Sequence, residues 1–284
     1  MTQALSSDSI DRLKSDGILF PIPVFSEEEI AEYRAKLENL ARQEGGTLSR
    51  ATNQKPHILL PWLNRLIRDP RILGPVSTAL GPNILCWGSG FFWKQPKDPA
   101  FISWHQDSTY WGLSAPDIVT AWVAFTPSTV ESGCMRVVPG SHHKDQLPHK
   151  DTFAETNLLS RGQEVAVEVD ERDAVDVVLK PGEMSIHHVR LIHGSEPNRS
   201  EQPRIGFAIR YIPTYIRQTS GVRDSATLVW GEDEFGNFDP EPVPETDFDP
   251  RAAAFHKAML ERTEQILYAG AAQVRPYDQP AARG

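Results

Sequence analysis

The chain has 284 residues, with 29 Lys and Arg against 38 Asp and Glu, a formal net charge of −9. That balance argues against nucleic acid or an anionic membrane surface as a partner, and leaves room for a small anionic ligand in a locally cationic pocket. A hydrophobic share of 39% and a charged share of 24% are those of a globular protein that buries its own core.

The N-terminus carries no basic and apolar leader, and no apolar run approaches the length of a membrane span, so a cytoplasmic protein is expected. Cys86 and Cys134 sit in apolar, strand-like runs and read as buried free thiols. Residues 8–16 read as a short helix capped by Asp8 or Ser9, and 17–25 as an extended apolar segment interrupted by prolines. Residues 26–46 form a helix: Ser26 and Glu29 make a capping box, Ile30, Tyr33, Leu37 and Leu40 recur at helical spacing, and Gly45-Gly46 ends it. Residues 61–81 give two short helices split at Asp69-Pro70.

Beyond Pro82 the pattern changes. NILCWGSGFFWKQP, FISWHQD, DIVTAWVAFTP, CMRVVPG, EVAVEVD, AVDVVLKPGEMSIHH and RIGFAIRYIP are short β-branched or aromatic runs separated by Gly, Pro or Asp. Strands at that spacing make a sandwich or barrel. Residues 219–250 read as an acidic loop region, and 249–270 as an amphipathic helix. Phe255, Met259, Thr263, Ile266 and Leu267 form its apolar face, its own sheet is the expected partner, and Gly270 closes it. The remaining tail reads as loosely held. The expected organisation is one domain over 1–284: a helical part at 1–81, a jelly-roll, cupin-like core at about 82–218, and a C-terminal loop and helix at 219–270.

The stretch SWHQDSTYWG places His105 and Asp107 two apart among large apolar residues. On a strand, residues two apart face the same way. An imidazole and a carboxylate on one face supply two of the three donors of a 2-His-1-carboxylate site, the donor set of non-haem Fe(II). The blander reading is a hydrogen-bonded structural pair, but a buried Asp beside a neutral His is costly without a cation. The third donor comes from His142 or His143 in VPGSHHK, His187 or His188 after KPGEMSI, or His193. His193 is favoured because Arg204 follows 11 positions later. If His193 ends one strand and Arg204 begins the next, both face one cavity, where a guanidinium holds a carboxylate bidentately.

Three motifs in order, WHQD, VTAWVAFTPSTVESGCMRVVPGSH and PGEMSIHHVRLIHGSEPNRSEQPRIGF, make the chain resemble the phytanoyl-CoA dioxygenase family of Fe(II)/2-oxoglutarate oxygenases. The resemblance runs from DGILFPIPVFSEEEI to about RYIP. It implies a double-stranded β-helix with iron on His105, Asp107 and His193, and Arg204 on the distal carboxylate of 2-oxoglutarate. Ser195 is implied as a helper at that carboxylate, and Thr120 as a further hydrogen bond. The implied reaction takes Fe(II), 2-oxoglutarate and O2, hydroxylates a C–H bond and releases succinate and CO2. Desaturation and epimerisation use the same residues. Halogenating relatives replace the aspartate with a small residue, and Asp107 is retained here.

Gln106, Lys94, Arg210 and Arg223 are candidates to meet a small polar substrate. Tyr110 and Trp111 are candidates for its pocket wall, Trp93 and Trp104 serve either as wall or as core, and Trp122 reads as core. Two readings from other classes share the same ligands: a zinc-dependent hydrolase, which gives Arg204 no task, and a noncatalytic cupin-type binding protein.

Overall fold

The computed structural model describes residues 5–277. Helix α1 (Ser7–Asp16) is capped by Ser6, whose hydroxyl accepts from the Ser9 N–H, in place of the expected Asp8 or Ser9. Ser6 has the extended conformation that a cap needs, while Asp8 sits in the first turn, where its charge suits the helix dipole. Strand β1 (Ile18–Pro23) follows, then α2 (Glu27–Gln43), opened by the expected Ser26–Glu29 capping box. The short helices α3 (Arg50–Asn53) and α4 (Pro61–Leu66) precede α5 (Pro70–Leu80), and the last two split where Asp69 caps α5 ahead of Pro70.

The strand region continues with β2 (Ile84–Lys94), β3 (Ile102–His105), β4 (Val119–Ala124) and β5 (Met135–Val137). Next come β6 (His149–Lys150), β7 (Glu164–Val165), β8 (Val175–Val177) and β9 (Glu183–His188). Last are β10 (His193–Ser195), β11 (Arg204–Pro213), β12 (Ser225–Trp230) and β13 (Asp239–Pro240), before α6 (Pro250–Leu267). A seven-stranded sheet runs β1-β9-β4-β11-β2-β12-β13 and a four-stranded sheet runs β3-β10-β5-β8. The two sheets form the expected jelly-roll core.

Alternation along β11 shows how the layers are built. Ile205, Phe207, Ile209 and Tyr211 join the core formed with Leu37 of α2, Leu63 of α4 and Leu73 of α5. Arg204, Ala208 and Arg210, on the other face, look into the space between the sheets. One face of the large sheet is therefore sealed by helices, and the other carries the chemistry.

The structure departs from the sequence reading in several places. Only the first two residues of EVAVEVD form a strand, because β7 has only the two-residue β6 as partner. The acidic segment 219–250 contains β12, whose SATLVW run pairs with β2, and β1 also joins the large sheet, so that sheet extends beyond residues 82–218. Helix α6 ends at Leu267, before Gly270; its Ala252 and Met259 pack on Ile58, while Leu267 packs on the sheet cluster of Leu85, Trp87 and Ile212, the expected partner. The tail is docked as far as Tyr277, which is buried, while Arg275 donates to the carbonyls of Phe153 and Ala154; residues 278–284 lie outside the described part. Cys86 and Cys134 are buried free thiols. Among the described residues, no helix is long and apolar enough to cross a membrane.

A buried ionic cluster ties the C-terminal segment to the helical layer. Lys55 Nζ lies 2.8 Å from Glu241 Oε1 and donates to the Ser225 carbonyl at 2.7 Å. His57 Nε2 and Thr227 Oγ1 reach Glu241 Oε2 at 2.9 and 2.6 Å. Burial pushes the Glu241 carboxyl up, but Lys55 and His57 outweigh it and hold it well below the usual carboxylate range. Its contribution is therefore complete above the unfolded carboxyl value and is lost as pH falls towards the folded one. Glu241→Gln, which removes the nearer of the two carboxylates facing Lys55 and leaves only Asp224 at 3.8 Å, is expected to cost about 3–5 kcal/mol at neutral pH. In urea unfolding, its acid-side loss of stability should also be shallower than that of the parent.

Candidate metal and cosubstrate site

Strands β3 and β10 are antiparallel, with His193 directly opposite His105. The two imidazoles face each other with ring centroids 4.1 Å apart. Asp107 does not extend β3 as the same-face argument requires: the chain turns after His105, and Asp107 opens a 3-10 turn over Asp107–Tyr110. The Asp107 N–H is tied to the Val189 carbonyl at 3.0 Å, and the carboxylate turns back towards the histidines. His105 Nε2 and His193 Nε2 lie 3.4 and 3.9 Å from Asp107 Oδ1. Likewise, His193 begins β10 rather than ending a strand, while Arg204 begins β11 as expected.

Both imidazoles are oriented from behind. Nδ1 of His105 donates to the Ser103 carbonyl and Nδ1 of His193 to the Leu191 carbonyl, each at 2.9 Å. A carbonyl only accepts, so each Nδ1 carries a proton, and Nε2 is the nitrogen turned towards the carboxylate and left for a metal. Burial, then the neighbouring His105, holds His193 well below the usual histidine range, so its ring is neutral. Burial pushes Asp107 up, yet the imidazoles gathered around its carboxylate, His105, His187 and His193, hold it well below the usual carboxylate range. One ligand atom from each of His105, Asp107 and His193 falls within 4.8 Å of the others, and all three residues are buried. Two imidazole nitrogens and one ionised carboxylate, open on the cavity side, fit a divalent iron.

Arg204 is 1% exposed, and its Nε donates to Ser128 Oγ at 3.3 Å. Its Nη1 is buried with no hydrogen-bond partner among the described residues, and the guanidinium stands 4.6 Å from the Trp122 ring centroid. Burial lowers its pKa to about 10, which leaves it cationic at neutral pH. A buried cation with an idle N–H, and with no carboxylate paired to it among the described residues, is matched to an incoming carboxylate. Ser195 lines the same cavity, and its hydroxyl accepts from Lys94 Nζ at 2.7 Å. Thr120 lies at the other end, donating to Asp107 Oδ2 at 3.3 Å. Its place is beside the metal ligands rather than beside Arg204.

Most of the expected substrate contacts are elsewhere. Gln106 is fully buried, donating to the Arg190 carbonyl and accepting from Leu147 N–H. Lys94 sits behind Ser195, held by the carbonyls of Gly133 and Glu196. Burial and the nearby Arg204 lower its pKa to about 7. Trp93 faces the helical layer, since β2 turns its neighbour Phe92 to the cavity. Tyr110 donates to Asp151 at 2.6 Å under the Arg161 guanidinium. Trp111 is buried against Trp87, ring centroids 4.9 Å apart. Trp104 lies against Arg136, and exposed Arg223 pairs with Asp239. Arg210 does reach the cavity.

Trp122 is core, as expected, and also part of the cavity wall. His142 and His143 occupy a 3-10 turn and hydrogen-bond to the carbonyls of Lys14 and Ser15. His188 accepts from Arg190 N–H, away from the site. His187, in contrast, lines the cavity with Nε2 at 3.8 Å from Asp107 Oδ2. The signal that identifies it is strand parity: residue 187 shares a face of β9 with Ser185, opposite the core residues Met184 and Ile186.

A family model described as Phytanoyl-CoA dioxygenase (PhyH) matches residues 13–206. The ectoine dioxygenase of Bordetella parapertussis is 25% identical over 236 residues, covering 73% of this chain and 75% of that one. The solved non-heme monooxygenase ThoJ, in its apo form, is 34% identical with a TM-score of 0.81, covering 91% of this chain and 97% of the other. CytC3 with Fe(II) and alpha-ketoglutarate gives 25% identity and a TM-score of 0.63, over 86% and 95% of the two chains. Alignments span 50% to 75% of the length of the first four curated relatives.

The platform under Arg204 depends on Gly206, where a Cβ would overlap the Trp122 ring. Gly206→Ala is expected to displace that ring and cost about 1–3 kcal/mol, read by thermal or urea unfolding. An unchanged midpoint would mean that Trp122 repacks freely.

Proposed function

The chain belongs to the phytanoyl-CoA dioxygenase family, and from that premise we propose that it hydroxylates an unactivated C–H bond of a small polar metabolite, using Fe(II), 2-oxoglutarate and O2 and releasing succinate and CO2. The observation that carries this reading is the joint presence, in one buried cavity, of His105, Asp107 and His193 at one place and an unpaired Arg204 guanidinium at another. A zinc hydrolase has no use for the second. The sheets, helical layer and C-terminal helix are read as one oxygenase domain, supported by the hydrophobic core that α2, α4 and α5 share with the large sheet.

His105, Asp107 and His193 would hold the iron, and Arg204, with Ser195 beside it, would hold the distal carboxylate of 2-oxoglutarate. Iron bound with 2-oxoglutarate supplies the means of activating O2 to attack an unactivated C–H bond. The chain's contribution is placement. The Ser103 and Leu191 carbonyls keep both imidazoles aimed, Thr120 holds one Asp107 oxygen, and Arg204 sets the distance of the cosubstrate from the ligands. Phe92, Trp122 and Met135 line the cavity with apolar surface that excludes water.

Anaerobic addition of Fe(II) and then 2-oxoglutarate to the metal-free protein should produce the weak visible charge-transfer band of a chelated keto acid. His193→Ala should abolish the band. Arg204→Gln should raise the 2-oxoglutarate concentration needed for it by at least about tenfold, the loss of a charge-assisted pair. Tight zinc binding with no such band, and no succinate formed in air, would overturn the proposal.

A further inference from the structure

Three side chains stand in a row across the large sheet. Thr120 on β4 is the register partner of His187 on β9 and of Arg210 on β11. All three line the cavity. Thr120 is committed to Asp107, but the other two are uncommitted. Both ring nitrogens of His187 and the Nε of Arg210 are buried without a hydrogen-bond partner among the described residues. Arg210 is half-buried, lies 5.8 and 5.7 Å from the ring centroids of Phe92 and Trp111, and forms no ion pair among the described residues. Asp107 is the carboxylate that acts on it electrostatically, and Asp107 is the proposed metal ligand.

Charge makes the vacancy specific. A divalent metal is balanced by dianionic 2-oxoglutarate. The lining then keeps two guanidinium groups, Arg204 and Arg210, against the single carboxylate of Asp107. One positive charge is left in the cavity of a chain whose overall charge is −9. Arg204 and Arg210 share a face of β11 with Gly206 and Ala208 between them, roughly 20 Å apart along the strand, so they are separate recognition points. Arg204 stands by Ser128 and Arg210 by Thr120 and the metal ligands. His187 and Arg210 flank Thr120 from adjacent strands, roughly 10 Å apart at their backbones, which leaves a group between them within reach of both.

We propose that the substrate is an anion whose carboxylate or phosphonate group is held by Arg210, with His187 donating a ring N–H to the same group. This rests on the oxygenase reading above and narrows its substrate class from polar to anionic. Held there, the oxyanion is anchored next to the metal ligands, and the C–H bonds adjoining it are those presented for reaction.

The test uses the anaerobic Fe(II) protein with saturating 2-oxoglutarate, so that Arg204 and the metal are already engaged. Butyrate and ethylphosphonate are titrated against neutral butyramide, following tryptophan fluorescence and the visible band. Both anions should give a saturable response and butyramide none. Arg210→Gln should raise the anion dissociation constants at least about tenfold, while Arg210→Lys, which keeps the charge, should retain part of the binding. Thermal unfolding identifies a variant that has merely lost its fold. Butyramide binding as well as butyrate, anion binding unchanged in Arg210→Gln, or no saturable anion response up to about 10 mM would each overturn the assignment. A band that forms with no anion response removes only this inference; no band in the parent protein removes the oxygenase reading itself.

Discussion

The antiparallel register between β3 and β10 is the constraint on which the rest depends. It sets His193 opposite His105, and the two backbone carbonyls behind them fix which nitrogen of each ring is free. The turn after His105 then supplies the carboxylate. A shift of one residue in that pairing would turn His193 to the other side of the small sheet. The register is held from both sides, since β10 also pairs with β5 through Val137, Arg136 and Met135.

The large sheet provides the other half of the site through the alternation of β11. Its outward residues, Ile205, Phe207, Ile209 and Tyr211, are apolar and locked against the helices. That packing holds the strand rigid while its inward side presents two cations with small residues between them. Burying guanidinium groups without carboxylates is unfavourable. Folding of the apolar face offsets that cost, and anionic ligands recover it on binding. The protein is acidic overall while its cavity lining sets Arg204 and Arg210 against Asp107, so the proposed preference for anions would be a property of the cavity alone.

Much of this was legible in the sequence, because the carrying signals are local. His105, Asp107, His193 and Arg204 sit in short motifs, and the Ser26–Glu29 capping box, proline breaks and β-branched runs placed most elements. The misses have physical reasons. Gln106 lies between two ligands, so its alternate position on the chain turns it towards Arg190 and Leu147 instead of the cavity. Tyr110 and Trp111 follow a 3-10 turn that carries them out of the cavity, a direction that residue type does not encode. Strand β12 is hidden by acidic neighbours, and its existence depends on pairing with β2 far back in the chain. The position of His187 emerges only when β9 is known to be a strand whose odd-numbered residues face inwards.

The most direct test is a crystal structure of the anaerobic complex with Fe(II) and 2-oxoglutarate. The account predicts iron on Nε2 of His105, Nε2 of His193 and the Asp107 carboxylate, with the distal carboxylate of 2-oxoglutarate on Arg204 and His187 uncoordinated. Iron held by His187 in place of His193, or 2-oxoglutarate anchored on Arg210 with Arg204 still unpaired, would contradict it.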